Sequence, residues 1–256
     1  MTARPHALVI GGTRGIGRAI ARRLLDRGMA VTVCGRDPEA LRDDPAFAAR
    51  EGLEVRTLDI ADAAAVAAVV ADCGGPGATL DLLVVTAGIY YNSRTQPLDE
   101  AATLAMLRTN VSGLAHAFEA GARRMLGQGR GRMAAVSSMA GLMKDYPGAS
   151  VYASTKRSVL SLCDAYRKAL APFGVTVTAL VPGYVDTARL RALNGGDARH
   201  KPFLMPEDEA ARRMLEAIDA GRARCAFPWR MRLAVELLNL LPRMPKLPDF
   251  QPPRGR

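Results

Sequence analysis

Ala7-Leu8-Val9-Ile10-Gly11-Gly12-Thr13-Arg14-Gly15-Ile16-Gly17 runs from four apolar residues into a glycine-rich turn, and the series Ile20, Ala21, Leu24, Leu25 follows until Gly28. The apolar run has the length of a buried strand, and the later spacing is that of one helix face. Strand, glycine turn and helix in that order make a phosphate cradle. Glycines let the backbone approach a pyrophosphate, and the helix start offers free N–H groups at the positive end of its dipole. The spacing is Gly-x-x-x-Gly-x-Gly, not the Gly-x-Gly-x-x-Gly of the usual fingerprint. Gly11, Thr13, Arg14, Gly15, Ile16 and Gly17 are thus candidates for holding a dinucleotide.

The second strand, 30–33, ends in Cys34-Gly35-Arg36-Asp37-Pro38. An acid at that strand end would accept the ribose 2′-hydroxyl of NAD. Here the slot is glycine, with Arg36 beside it and Arg14 in the neighbouring loop. Two guanidiniums suit a 2′-phosphate, so NADP(H), as NADPH rather than NADH, is the expected cofactor. Asp37 is expected to cap a helix beginning at Pro38.

Strands and helices continue to alternate: a strand over 53–58 closing in Asp59-Ile60, a helix over 63–72, a strand over 81–86 closing in Ala87-Gly88, and a helical region over 98–126 containing Asn110. A strand over 133–137, a helix from 151, a strand over 174–181 ending Pro182-Gly183-Tyr184-Val185-Asp186-Thr187, a helix over 206–220 and a strand over 222–228 complete the series. Such alternation predicts an α/β fold, a single-domain Rossmann-like, doubly wound parallel sheet with helices on both faces. That domain is expected over 1–228, with 188–205 as a lid over the substrate. Residues 229–256 read as an amphipathic helix and a Pro-rich tail.

Val151-Tyr152-Ala153-Ser154-Thr155-Lys156 opens the periodic run Val159, Leu160, Leu162, Cys163, Tyr166, Leu170. Tyr152 and Lys156 therefore share a helix face. A phenol has a reference pKa of about 10. An ammonium roughly 4 Å away favours the phenolate by about 4 kcal/mol at an effective dielectric of about 20, and desolvation opposes it. The expectation is a tyrosine that exchanges a proton with an alcohol or ketone near neutral pH.

Composition narrows the alternatives. The four cysteines (Cys34, Cys73, Cys163, Cys225) and three histidines (His6, His116, His200) are scattered, so no metal site and a reducing, cytoplasmic setting are expected. No leader precedes the first strand and no stretch has bilayer-spanning length. The net charge of +10 rests mainly on arginine and raises nucleic acid or anionic lipid as partners. These arginines fall on solvent faces of expected helices without interleaved aromatics. A solvated surface, and no nucleic-acid partner, is the reading they support.

Taken in order, Gly11/Gly15/Gly17, Asp59, Ala87-Gly88, Asn110, Ser137-Ser138, Tyr152, Lys156 and Pro182-Gly183 with Thr187 resemble the short-chain dehydrogenase/reductase family from about residue 7 to 228. The resemblance implies NAD(P)-dependent interconversion of an alcohol and a carbonyl compound. It implies Tyr152 as general acid/base, Lys156 lowering its pKa and holding the nicotinamide ribose, and Ser138 stabilising the substrate oxygen. Asn110 would distort its helix and position a water relaying protons to Lys156. Asp59 would contact the adenine, and Val185 and Thr187 the nicotinamide carboxamide; Ile60, Ala87, Gly88, Pro182 and Gly183 complete the implied cofactor site. A homodimer or homotetramer built on the helices carrying Asn110 and Tyr152 is also implied.

Three positions depart from the family pattern. Ile10 stands where a threonine usually opens the glycine loop. Thr86 replaces an asparagine that ties two strands together. Ser138 lies one residue further from Tyr152 than usual, which leaves Ser137 as an alternative.

Leu190, Leu193, Phe203, Leu204 and Met205, with Leu142, Met143 and Tyr146, could line an apolar substrate pocket. The helix from Trp229, flanked by Arg230, Arg232, Arg243 and Lys246, could pack on the core, the lid or a neighbouring subunit, or make weak contact with a membrane surface. Apart from a carbonyl or alcohol oxidoreductase, a non-catalytic dinucleotide-binding redox sensor and a peripheral membrane-associated subunit are the competing readings.

Overall fold

Runs of Val, Leu, Ile and Ala too short for a helix become strands, and each sends alternate side chains to opposite faces. The computed structural model describes residues 4–75, 77–91, 99–144 and 150–240. Its strands are β1 (His6–Ile10), β2 (Ala30–Gly35), β3 (Leu53–Thr57), β4 (Leu82–Val85), β5 (Gly131–Val136), β6 (Val175–Pro182) and β7 (Arg224–Phe227). They form one sheet in the order β3-β2-β1-β4-β5-β6-β7. Every pairing is parallel. The order reverses between β1 and β4, and the crevice at the carboxyl ends of those strands is where such sheets bind ligands.

Two cores sandwich the sheet. On one face, helices α3 (Ala63–Asp72), α5 (Gly113–Gln128) and α6 (Val151–Leu170) pack on Leu8, Ile10, Leu83, Val85, Met133 and Val177. On the other, α1 (Gly15–Asp26), α2 (Pro45–Ala48) and α8 (Glu207–Asp219) pack on Ala7, Val9, Leu82, Val84, Ala134 and Leu180. Burying one such aliphatic side chain contributes roughly 1.5–3 kcal/mol, so odd and even positions of each strand anchor different helices. The short elements α4 (Glu100–Leu107), α7 (Ala188–Ala192) and α9 (Trp229–Leu240) lie at the edges of this frame.

Asp37 departs from its expected role. It precedes the 3-10 turn Pro38–Leu41 but makes no side-chain capping bond. The Asp-Pro pair that does cap is Asp44-Pro45, where the Asp44 carboxylate accepts from Phe47 N at 3.2 Å. That cap drives Phe47 into the core at 2% exposure; four residues are too few to show a period, so the sequence pattern does not announce this helix. Asp62 caps α3, accepting from Ala65 N at 3.0 Å. Tyr146, Arg243 and Lys246 lie outside the described residues.

The arginines are largely matched on the surface. Arg18 and Arg22 meet Asp44, Arg23 meets Asp208, and Arg27 and Arg132 share Asp219. Arg124 instead turns inward and donates to the carbonyls of Val70, Cys73 and Ala78 at the end of α3. The thiols of Cys34, Cys73, Cys163 and Cys225 are free. Among the described residues no helix is long and apolar enough to cross a membrane.

Candidate active site

At the switch point, backbone crowding dictates the glycines. Gly11 (φ +93°) donates its N–H to Cys34 O at 2.8 Å. A Cβ on Gly17 would sit 2.2 Å from Gly11 O, and one on Gly11 would sit 2.5 Å from Ala87 N. Thr86 ties the strands in place of the family's asparagine. Its hydroxyl donates to Ile10 O at 3.2 Å and Gly11 O at 3.0 Å. The substitution therefore preserves the link between the β4 end and the glycine loop. Isoleucine at position 10 leaves the backbone cradle in place.

A cleft of about 330 Å³ opens above this crossing. Of the candidate cofactor residues, Gly11, Thr13, Arg14, Gly15, Ile16, Gly17, Arg36, Asp59, Ile60, Ala87, Gly88 and Thr187 line it. Cys34, Leu58, Ile89, Thr109, Val136 and Arg189 line it too, and the motifs do not include them. Cys34, Leu58 and Val136 end strands or follow them directly, so the rule that ligands bind beyond strand carboxyl ends could have found them. Pro182, Gly183 and Val185, also candidates from the sequence, are not among the residues that line the cleft. Gly183 donates to Phe227 O at 2.8 Å, and the Val185 side chain is 5% exposed.

At the adenosine end, Arg14 comes within 4.0 Å of Asp37, so the slot has an opposing carboxylate after all. Both side chains are more than half exposed, where such a pair contributes little. Arg36 is exposed and has no acidic partner among the described residues. Asp59 uses Oδ1 to accept from Ala61 N at 3.0 Å. Thr187 caps α7 by accepting from Leu190 N at 3.0 Å.

Beside the cleft, β5, α6 and the segment joining α4 to α5 bring four polar side chains together. Arg108–Ser112 is a π-helical turn, and it points Asn110 inward at 2% exposure. The Asn110 carboxamide accepts from Ile89 N at 2.8 Å and donates to Ile89 O at 2.9 Å and Thr155 Oγ1 at 3.1 Å. Gly88 makes room for the group: a Cβ there would be 3.1 Å from Lys156 Nζ and 3.3 Å from Asn110 Oδ1. Ser137 Oγ is spent on Lys156 O at 2.7 Å inside the core. Ser138 Oγ accepts from Ala140 N at 3.2 Å, and Ser138 rather than Ser137 is the serine that acts on the Tyr152 phenol, lowering its pKa.

The electrostatics differ from the expectation drawn from spacing. Desolvation pushes the Tyr152 phenol up to about 12, the Ser138 hydrogen bond pulling it partway back. Burial brings the Lys156 ammonium down to about 8. Lys156 Nζ lies 5.8 Å from the Tyr152 ring centroid and donates to Val136 O at 3.0 Å. The shared helix face is real, but the ammonium is directed at the ring face and a strand carbonyl. Tyr90 packs edge-on against Tyr152 at 4.7 Å and adds to the dry surroundings. The phenol of this site therefore stays protonated at neutral pH.

The expected apolar pocket is divided. Met205 belongs to the core beside α8, Leu142 packs on the opposite core, and Phe203 is 47% exposed. The segment 188–205 is tied at its base, where Asp186 N donates to Met205 O and Met205 N to Tyr184 O.

A dinucleotide fits these residues, because the crowded crossing of Gly11 and Gly17 leaves backbone rather than side chains at the cleft floor. Comparison with known proteins agrees with the geometry. The family model described as short chain dehydrogenase matches residues 5–197. An uncharacterized oxidoreductase of Myxococcus xanthus is 33% identical, with 92% of each chain covered. A putative ketoacyl reductase of the granaticin polyketide synthase of Streptomyces violaceoruber is 35% identical, covering 72% of this chain and 69% of that one. Among solved structures, a variant of the actinorhodin polyketide ketoreductase with NADPH superposes with a TM-score of 0.76 at 27% identity, over 87% of this chain and 95% of the other. With its parallel seven-stranded sheet and glycine-floored cleft, this chain is a member of the short-chain dehydrogenase family of oxidoreductases.

Proposed function

We propose that this protein is an NADP(H)-dependent oxidoreductase that interconverts a ketone or aldehyde and the matching alcohol, with Tyr152 as general acid/base. The observation that carries this reading is the convergence of Ser138, Tyr152, Lys156 and Asn110 beside the cleft. The cofactor, when bound, supplies or accepts the hydride. Tyr152 delivers the proton to the carbonyl oxygen, and the Ser138 hydroxyl donates a second hydrogen bond to that oxygen as negative charge grows on it. Lys156 steadies the phenolate left behind, and Asn110 holds the Ile89 backbone and Thr155 so that the lysine keeps its place. A purely sensory protein needs none of this proton machinery. The relative in the granaticin system is named a putative ketoacyl reductase, and the actinorhodin enzyme was solved with NADPH, which supports a carbonyl substrate and the phosphorylated cofactor.

A phenol near 12 holds its proton at neutral pH, the form that the reductive direction needs. Below about 8 Tyr152 carries its proton and Lys156 its charge, the two forms that reduction needs. Reductive kcat/KM is expected to be level through neutral pH and to fall as pH rises past about 8 and Lys156 deprotonates. Oxidation is expected to gain as pH rises. A reductive profile that climbs through this range would remove Lys156 from the role given.

The choice of cofactor is tested by titrating NADPH and NADH into wild type and Arg36→Ala, read by cofactor fluorescence. A charge-assisted hydrogen bond contributes about 1.5–3 kcal/mol, so the variant should bind NADPH about ten- to a hundredfold more weakly. NADH affinity should stay where it was. Equal binding of both cofactors by wild type would overturn the NADP(H) assignment.

A further inference from the structure

The fold buries only one side of α9. Met231, Val235 and Asn239, one turn apart, face the protein. Met231 packs on the core and against Gly183, and Val235 is 5% exposed. Asn239 clamps the turn at 142–144, donating to Leu142 O at 2.8 Å and accepting from Lys144 N at 2.9 Å. The other side carries Trp229, Leu233, Leu237 and Leu240, exposed at 65%, 45%, 56% and 79%. Their spacing puts them in one line along the helix. Single exposed leucines need no explanation, but a contiguous line of them marks a contact surface.

On α9 itself Arg230 is the cation left over once Arg232 is paired with Glu236, and the further basic residues are read from the sequence beyond the described part. Arg230 lays its guanidinium 5.5 Å over the Trp229 ring, and Arg232 pairs with Glu236 at 2.7 Å. The sequence continuing from Leu240 carries Arg243, Lys246, Arg254 and Arg256 against the single acid Asp249, in a chain of net charge +10. The neighbouring lid repeats the pattern, with the exposed Tyr184 under the Lys201 ammonium and the exposed Phe203 two residues further on.

We infer that this face seats α9 on the surface of a membrane containing anionic lipid. Trp229 and the leucines enter the boundary between headgroups and acyl chains, and the arginines meet lipid phosphates. Charge selects this occupant over a second copy of the chain, which would bring the same excess of arginine to the contact. Because the inner side of α9 touches Gly183 and the turn at 142–144, only the thickness of this helix, about 10 Å, would separate the membrane from the segments that follow Ser138 and precede Thr187. A lipophilic carbonyl compound dissolved in the bilayer is then the substrate class; this last step rests on the reduction proposed above, whereas the membrane contact does not.

The test is co-sedimentation of the full chain with vesicles of phosphatidylglycerol and phosphatidylcholine in equal parts, and with phosphatidylcholine alone. Wild type should bind the mixed vesicles, about tenfold or more tightly than the neutral ones, and high salt should weaken that binding. The double variant Leu233→Glu, Leu237→Glu should lose about tenfold or more of the binding while still binding NADPH and reducing a water-soluble ketone. No sedimentation of wild type, or unchanged binding by the variant, overturns the inference. So does a fall in solution mass for the variant with no vesicle binding by wild type, which would make the face a contact between copies. If the leucines govern vesicle binding but wild type reduces no carbonyl compound, the membrane surface stands and the catalytic reading fails.

Discussion

On the proposed mechanism, Tyr152→Phe should lower the rate of NADPH-dependent carbonyl reduction by about 10²–10⁴-fold, the contribution expected of a positioned general acid, and should leave NADPH binding nearly unchanged. Only the hydroxyl is removed. The ring keeps its edge contact with Tyr90 and its place over Lys156, so the cleft should retain its shape. Ser138 Oγ keeps its bond from the Ala140 N–H, and the protein should unfold at nearly the wild-type temperature. Single-turnover reduction with saturating NADPH separates the chemical step from binding. A variant that turns over at the wild-type rate would remove Tyr152 from the reaction and transfer attention to Ser138 and Lys156 as proton donors.

Gly17→Ala should abolish tight binding of NADPH, the proposed cofactor, because its methyl group has nowhere to go. The added Cβ would sit 2.2 Å from Gly11 O and 2.5 Å from Thr86 Oγ1. The first of these is backbone and the second is held by its bonds to Ile10 O and Gly11 O, so α1 must move away from the loop. Overpacking of this kind typically costs about 1–3 kcal/mol of stability, and displacing α1 also withdraws the N–H groups that would face a pyrophosphate. Urea unfolding and NADPH titration of the same variant read both effects. Gly127→Ala in α5 is the control, since nothing lies within 4 Å of its Cβ and alanine favours a helix over glycine by about 1 kcal/mol. It should bind NADPH as wild type does and be slightly more stable. Normal cofactor affinity in Gly17→Ala would mean that the crossing of the glycine loop and Thr86 is not what shapes the site.

The parallel sheet was legible because its evidence is local. Runs such as Leu8-Val9-Ile10 and Leu82-Leu83-Val84-Val85 are too short for helices, and the periods of α1, α6 and α8 mark one buried face each. The glycine loop was legible for the same reason: only a residue without Cβ fits 2.2 Å from a carbonyl oxygen. Asp37 misled, because an Asp-Pro pair has the same chemistry at 37–38 as at 44–45, and only the path of the chain puts Asp37 beside Arg14. Thr109, Ile89 and Arg189 were invisible, since their place in the cleft depends on a π-helical turn and on how the segment after Thr187 is tied down. Ser138 was the serine the sequence favoured, and only the structure shows why Ser137 cannot replace it, since the Ser137 hydroxyl is spent on Lys156 O.

By itself the sequence determined the order of strands and helices, the glycine turn, and the residues from which an oxidoreductase of this family is built, because spacing and side-chain volume act over a few neighbouring residues. The tertiary structure alone decided the protonation of Tyr152 and Lys156, since desolvation depends on everything packed around a group, Tyr90 and Val136 included. It decided as well which side of α9 is buried. Trp229, Leu233, Leu237 and Leu240 are as apolar as Met231 and Val235, and only the positions of Gly183 and the turn at 142–144 determine which set meets the protein and which meets its surroundings.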